Sequence, residues 1–159
     1  MKVFFSHKDE RLWIEGAPGF SCHASVPMLR LADGTRKKTN IARTIPGGFP
    51  YDPHPFPLGK WRIFEVRPRA DKYRAPFFIA TNAYQEVKVW EVGVVNGELS
   101  YIKETDRKVI DAEYGIHFSE HPTTQGCIKI HRREDLEAFV SLVNKAIVAR
   151  EKIDLEVLE

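Results

Sequence analysis

The sequence predicts a mainly β domain that ends in one α-helix. Three observations carry the prediction. Short apolar runs separated by turn residues fill roughly the first 115 positions. The dipeptide Asn96-Gly97 stands between two of those runs, the strongest short-range hairpin signal a sequence offers. A single clear helical stripe occurs, and it lies near the end of the chain.

The elements follow in order. Residues 3–5 and 12–14 flank the charged cluster Lys8-Asp9-Glu10-Arg11 and predict an opening hairpin. A stretch of small and apolar residues at 20–31 stops at the turn Asp33-Gly34. Five of the ten prolines, with Gly47 and Gly48, lie within 46–57. Proline removes backbone donors and fixes φ, so this segment reads as an ordered loop and not as a helix or central strand. A loop of that length is either functional or a plain Pro-rich connection. Residues 60–66 alternate polar and apolar side chains as a half-buried strand does. Strands at 77–81, 87–95 and 99–102 follow, the last two joined by Asn96-Gly97. Leu136, Phe139, Val140, Val143 and Ile147 then recur on one helical face. Glu134 and Asp135 suit the start of that helix, and Arg150 its end. A strand at 153–158 closes the chain.

Composition bounds the function classes. The chain has 159 residues, and 43% are hydrophobic and 29% charged, ordinary values for a globular domain. One domain spanning 1–159 is the default at this length, large enough to bury about 70% of its unfolded surface. A formal charge of +2 argues against a dedicated nucleic-acid binder, which carries a basic face or tail. The run Arg36-Lys37-Lys38 reads as a solvated turn. Two cysteines, Cys22 and Cys127, are too few for a disulfide framework. The apolar run near the N-terminus is three residues long, short of a secretory core of roughly 7–15. No stretch reaches the roughly 18–20 residues of a transmembrane span. The expectation is therefore synthesis in the cytoplasm with no visible signal peptide.

Reactive side chains concentrate between Tyr114 and His131, which hold three of the six histidines and one of the two cysteines. A thiolate nucleophile needs a base or cation nearby, and imidazole is the usual supplier. His117, His121 and His131 all qualify by proximity in sequence. Gly126 lets backbone approach Cys127 closely, and amides there could form an oxyanion hole. Two other readings stand beside this one. Cys127 could be a small buried apolar residue. Alternatively, His117, His121, Cys127 and His131 could surround a zinc ion, although their spacing is irregular.

Tyr114-Gly115-Ile116-His117, followed by Thr124-Gln125-Gly126-Cys127-Ile128-Lys129, resembles the signature of YkuD-type L,D-transpeptidases. That family shows a histidine, then Ser/Thr-x-Gly-Cys, an aliphatic residue and usually arginine. The upstream segment Phe56-Pro57-Leu58-Gly59-Lys60-Trp61-Arg62-Ile63 is similar to the family's Pro-x-Gly-x-aromatic-x-Ile strand, and it lies in the right order. The likeness covers roughly positions 1 to 131. Phe118 stands where many members have glycine, and Lys129 where arginine is usual. The spacing from His117 to Cys127 is short and is similar to the compact branch that includes interbacterial toxin effectors.

The resemblance implies a YkuD-like β-sandwich domain with a C-terminal helix. It implies a cysteine acyltransferase acting on peptidoglycan stem peptides, as an L,D-transpeptidase or L,D-carboxypeptidase, with no metal or organic cofactor. Cys127 would be the nucleophile and His117 its base, held by a backbone carbonyl. The amides of Gly126 and Cys127 would bind the oxyanion, while Tyr114, Thr124, Gln125 and Lys129 would face substrate. Thr124 is also expected to shape the turn, His121 to sit on an exposed loop and His131 at the start of the helix. Cys22 reads as a strand-core residue, Trp13, Trp61 and Trp90 as core or cleft-lining aromatics, and Tyr51, His54 and Phe56 as a groove border. The substrate lies outside the cytoplasmic membrane, so the enzyme would reach the periplasm or cell wall by release, by secretion, or with a leader absent from this sequence. The alternatives are a non-catalytic wall-binding domain of the same fold and a His/Cys zinc-site protein.

Overall fold

The computed structural model describes residues 1–24, 31–32, 35–37, 43–44, 50–51, 54–69, 76–119, 124 and 126–159. The expected opening hairpin forms from β1 (Lys2–Ser6) and β2 (Arg11–Ile14), and β3 (Phe20–His23) pairs antiparallel with β2. Four short strands follow: β4 (Leu31–Ala32), β5 (Thr35–Lys37), β6 (Arg43–Thr44) and β7 (Pro50–Tyr51). The expected turn at Asp33-Gly34, residue Lys38 of the basic run and positions 46–49 and 52–53 of the proline segment lie outside the described residues. Then come β8 (Gly59–Pro68), β9 (Phe77–Thr81), β10 (Gln85–Val95) and β11 (Glu98–Asp111). β12 (Gly115–Phe118), β13 (Ile128–Ile130), α1 (Arg133–Val148) and β14 (Ile153–Leu158) complete the order.

Asn96 and Gly97 both have positive φ, 50° and 77°, as a primed hairpin turn between β10 and β11 requires. β11 continues to Asp111, well past the end that its apolar residues suggested. Residues 103–108 are polar on both faces, and Lys88–Glu104 and Glu86–Lys108 ion pairs cross the ribbon. A strand stabilised by cross-strand charge pairs carries little hydrophobic alternation for a sequence reading to detect.

The architecture is mainly β with one C-terminal helix. Its main sheet is a closed barrel in the order β1-β14-β8-β9-β12-β13-β3-β2, beside a six-stranded sheet β4-β5-β11-β10-β7-β6. This differs from the sandwich expected above. The reason is the last strand: β14 runs parallel to β1 and antiparallel to β8, so the sheet has no gap and no free edge. Alternation along a strand reports which face is buried and not whether the sheet closes.

Inward side chains include Val3, Phe5, Leu12, Cys22, Ile79, Ile116, Ile128, Ile130 and Leu155, all with no exposed surface. Helix α1 adds Leu136, Phe139, Val140, Val143 and Ala146 to the same core, and Phe20 meets Phe139 edge-on at 5.8 Å. Each large apolar side chain so buried contributes about 1.5–3 kcal/mol. The helix has no side-chain cap at Arg132, but Glu134 and Asp135 occupy its first turn and Lys145 its last, complementing its dipole. Arg150 lies beyond the helix end with a positive φ.

Candidate active site

β12 is held between β9, antiparallel, and β13, parallel. A Cβ at Gly115 would lie 2.2 Å from Phe78 Cζ and 2.6 Å from the Ile79 carbonyl, so only glycine lets the two strands approach. Ile116 faces the core with its partner Ile128. The next residue, His117, must face away from it. Register makes Phe78, His117, Lys129 and His23 a single row across β9, β12, β13 and β3. His117 is buried, and its ring stacks at 6.3 Å on that of Phe78. Its Nδ1 stands 3.1 Å from the Phe118 carbonyl. A carbonyl only accepts, so Nδ1 carries the proton and, in the neutral ring, Nε2 holds the lone pair.

Cys127 directly precedes β13, two residues before Lys129. It lies in the bend that leads into the strand. His117 pairs with Lys129, so the chain that leads from Cys127 into β13 runs towards β12's partner strand. Cys127 is partly exposed and is in no disulfide.

The turn before it is built by Thr124. Its hydroxyl donates to the Cys127 carbonyl at 2.8 Å and accepts from the Gly126 amide at 3.0 Å. In this structure the Gly126 N–H therefore serves the turn. Gly126 has φ +108°, and a Cβ there would lie 2.3 Å from the His54 carbonyl and 2.6 Å from Tyr114 Cε1. The end of the proline segment and the Tyr114 ring thus form the wall behind the turn.

Tyr114 is fully buried and packs edge-on against Phe56 at 5.4 Å. Its hydroxyl donates to Asp111 and accepts from Gln85 Nε2 at 2.7 Å. Gln85 also donates to the Pro55 carbonyl at 3.0 Å, and Thr81 Oγ1 donates to the Tyr114 carbonyl at 2.6 Å. Sequence reasoning missed Asp111, Gln85 and Thr81. They come from three separate segments, and no local pattern links them. It missed Arg69 as well. The guanidinium lies 5.5 Å from the centroid of the Phe78 ring, and its buried Nε–H has no hydrogen-bond partner among the described residues.

Lys129 is buried, and burial lowers its pKa. His23, beside it on β3, is also held below the ordinary histidine value, first by desolvation and then by the charges of His131 and Lys129. His131 is exposed at the far end of β13, with Nδ1 2.8 Å from Ser21 Oγ and its ring 5.0 Å from that of His23. Four residues of extended chain separate it from Cys127 by about 13 Å. His121 and Gln125 lie outside the described residues. Among the described residues no group of three or more His, Cys, Asp or Glu is placed to hold a metal ion.

Cys22 is a core residue, and burial followed by the nearby Glu10 charge pushes its thiol pKa far up. Trp61 donates Nε1–H to the Pro57 carbonyl at 2.9 Å and packs against the core. Trp13 stacks on Phe4. Among the described residues no helix is long and apolar enough to cross a membrane. Compared with known proteins, the chain matches no family model, no curated protein and no solved structure.

Proposed function

We propose that the chain is a YkuD-like cysteine acyltransferase that acts on peptidoglycan stem peptides through a thioester at Cys127. One observation supports the reading: the parallel pairing of β12 with β13 sets His117 beside Lys129, two residues after Cys127. The carbonyl of Phe118 on His117 Nδ1 supports the base assignment, because it leaves Nε2 as the basic nitrogen. The spacing disfavours His131.

In this mechanism His117 takes the Cys127 proton, and the thiolate attacks the carbonyl of the L-centre at stem position three. The tetrahedral oxyanion collapses, the C–N bond to the fourth-position D-residue breaks, and His117 returns the proton to the leaving amine. An amine of a second stem then displaces the thiol, giving a crosslink; water gives carboxypeptidase activity instead. Thr124 holds the Gly126 amide, so the oxyanion role falls first to the Cys127 amide. Lys129 and Arg69 are the cations suited to a stem carboxylate.

The test combines turnover and labelling. Cys127→Ala is expected to abolish conversion of purified muropeptides, and full activity in that variant would sink the proposal. Iodoacetamide at neutral pH is expected to modify Cys127 and leave Cys22 untouched, because the reacting species is the thiolate and burial keeps Cys22 protonated. An inert Cys127 would favour the non-catalytic wall-binding reading.

A further inference from the structure

The opposite arc of the barrel carries a second surface. Phe4 on β1 and Trp13 on β2 are register partners, and their rings stack with centroids 5.4 Å apart and planes 20° apart. Both point away from the core: Val3 and Phe5, on either side of Phe4, have no exposed surface. Two open depressions flank the stacked pair. One of about 460 Å³ is walled by Phe4, and one of about 550 Å³ by Trp13. Both volumes fall in the range of roughly 300–1,000 Å³ typical of small-ligand sites.

The rims are polar and of mixed sign. Lys2, Lys60 and Arg62 stand with Asp154 and Glu156 around the first depression, and Asp9 and Arg11 beside the second. Four cations against three anions give no field for a polyanion, which disfavours nucleic acid. A peptide strand would need a sheet edge to pair with, and β1, β14, β8 and β2 all lie inside a closed barrel. A hydroxyl both donates and accepts, so it can use carboxylates and ammonium groups together. Weakly positive C–H groups on one face of a pyranose complement the negative face of an aromatic ring.

From this arrangement we infer that Phe4 and Trp13 form a saccharide-stacking platform that binds a linear chain of amide-bearing pyranoses, one ring in each depression. The ligand class rests on the cell-wall reading above, since a wall polymer presents glycan strands beside its stem peptides. The platform is nevertheless separate from Cys127: β1 lies opposite β12 in the barrel order, and β3 stands between β2 and β13. Catalysis and glycan attachment would therefore use different sides of the molecule.

The test is a titration with chitotetraose followed by amide and indole NMR. Shifts are expected at Phe4, Trp13, Lys60 and Glu156, with Cys127 and His117 unmoved. Trp13→Ala is expected to weaken binding about tenfold, the equivalent of one ring stack. Lys60→Ala, on an exposed side chain, removes a rim contact without touching the core and is expected to weaken binding as well. The rate of Cys127 alkylation should be the same in both variants, so a failed platform and a failed nucleophile give different results. Absence of shifts at millimolar saccharide would overturn the inference. So would shifts confined to the Cys127 side, or shifts that follow protein concentration instead, the mark of a second copy on this face.

Discussion

Gly126 shows how a single atom can be excluded from a site. Its φ of +108° and the 2.3 Å approach of the His54 carbonyl leave no room for a methyl group. Gly126→Ala is expected to destabilise the fold by about 3 kcal/mol or more, measured by urea denaturation, and to displace Cys127. His23 gives the pH dependence. Its pKa is lowered in the folded state by burial and by the charges of His131 and Lys129, so the unfolded chain binds its proton more tightly. Stability contributed by neutral His23 is present above the ordinary value of 6.5 and is lost as pH falls through that value towards the lowered one. His23→Gln should flatten the urea midpoint across that window; an unchanged slope would remove His23 as the cause. The Gly-Cys pair was legible as a motif, and so was the role of Thr124 in the turn. The Asp111–Tyr114–Gln85 network behind it was not, because buried polar partnerships between distant segments leave no trace in local sequence.

At the scale of elements, the helix was the most legible part. Its apolar period and its end charges both appear in the sequence, and it was expected from its stripe. Phe139 is fully buried, meets Phe20 and belongs to the central core. Phe139→Ala should cost about 3–5 kcal/mol, whereas Leu142→Ala, on a side chain 39% exposed, should change the urea midpoint by no more than about 0.5 kcal/mol equivalent. Equal effects would mean that the helix buries a different face. Strands β9 and β14 were also expected with their observed bounds. The second half of β11 escaped notice because charge pairs hold it, and charge pairs have no alternation of hydrophobicity. The pairing of β12 with β13 has a similar character: two short strands of four and three residues carry too little pattern to reveal that they run parallel.

For the whole molecule, closure is the property that the sequence concealed. β1, β2, β8, β9 and β14 were anticipated as separate runs, yet which strands are neighbours depends on contacts between distant parts of the chain. β14 holds both β1 and β8. Removing residues 153–159 would expose two sheet edges and leave Val3, Phe5 and Ile63 without Ile153, Leu155 and Val157, their partners in the core. That truncation is expected to aggregate and to lose near-UV circular dichroism; a soluble, folded product would show that the helix and the remaining strands suffice. The same seam bears on how the protein is made. β1 is made long before its parallel partner β14, so Cys127 and His117 emerge before the barrel can be sealed. Contacts of such long range make for slow folding, and during synthesis the open edges need protection from other chains.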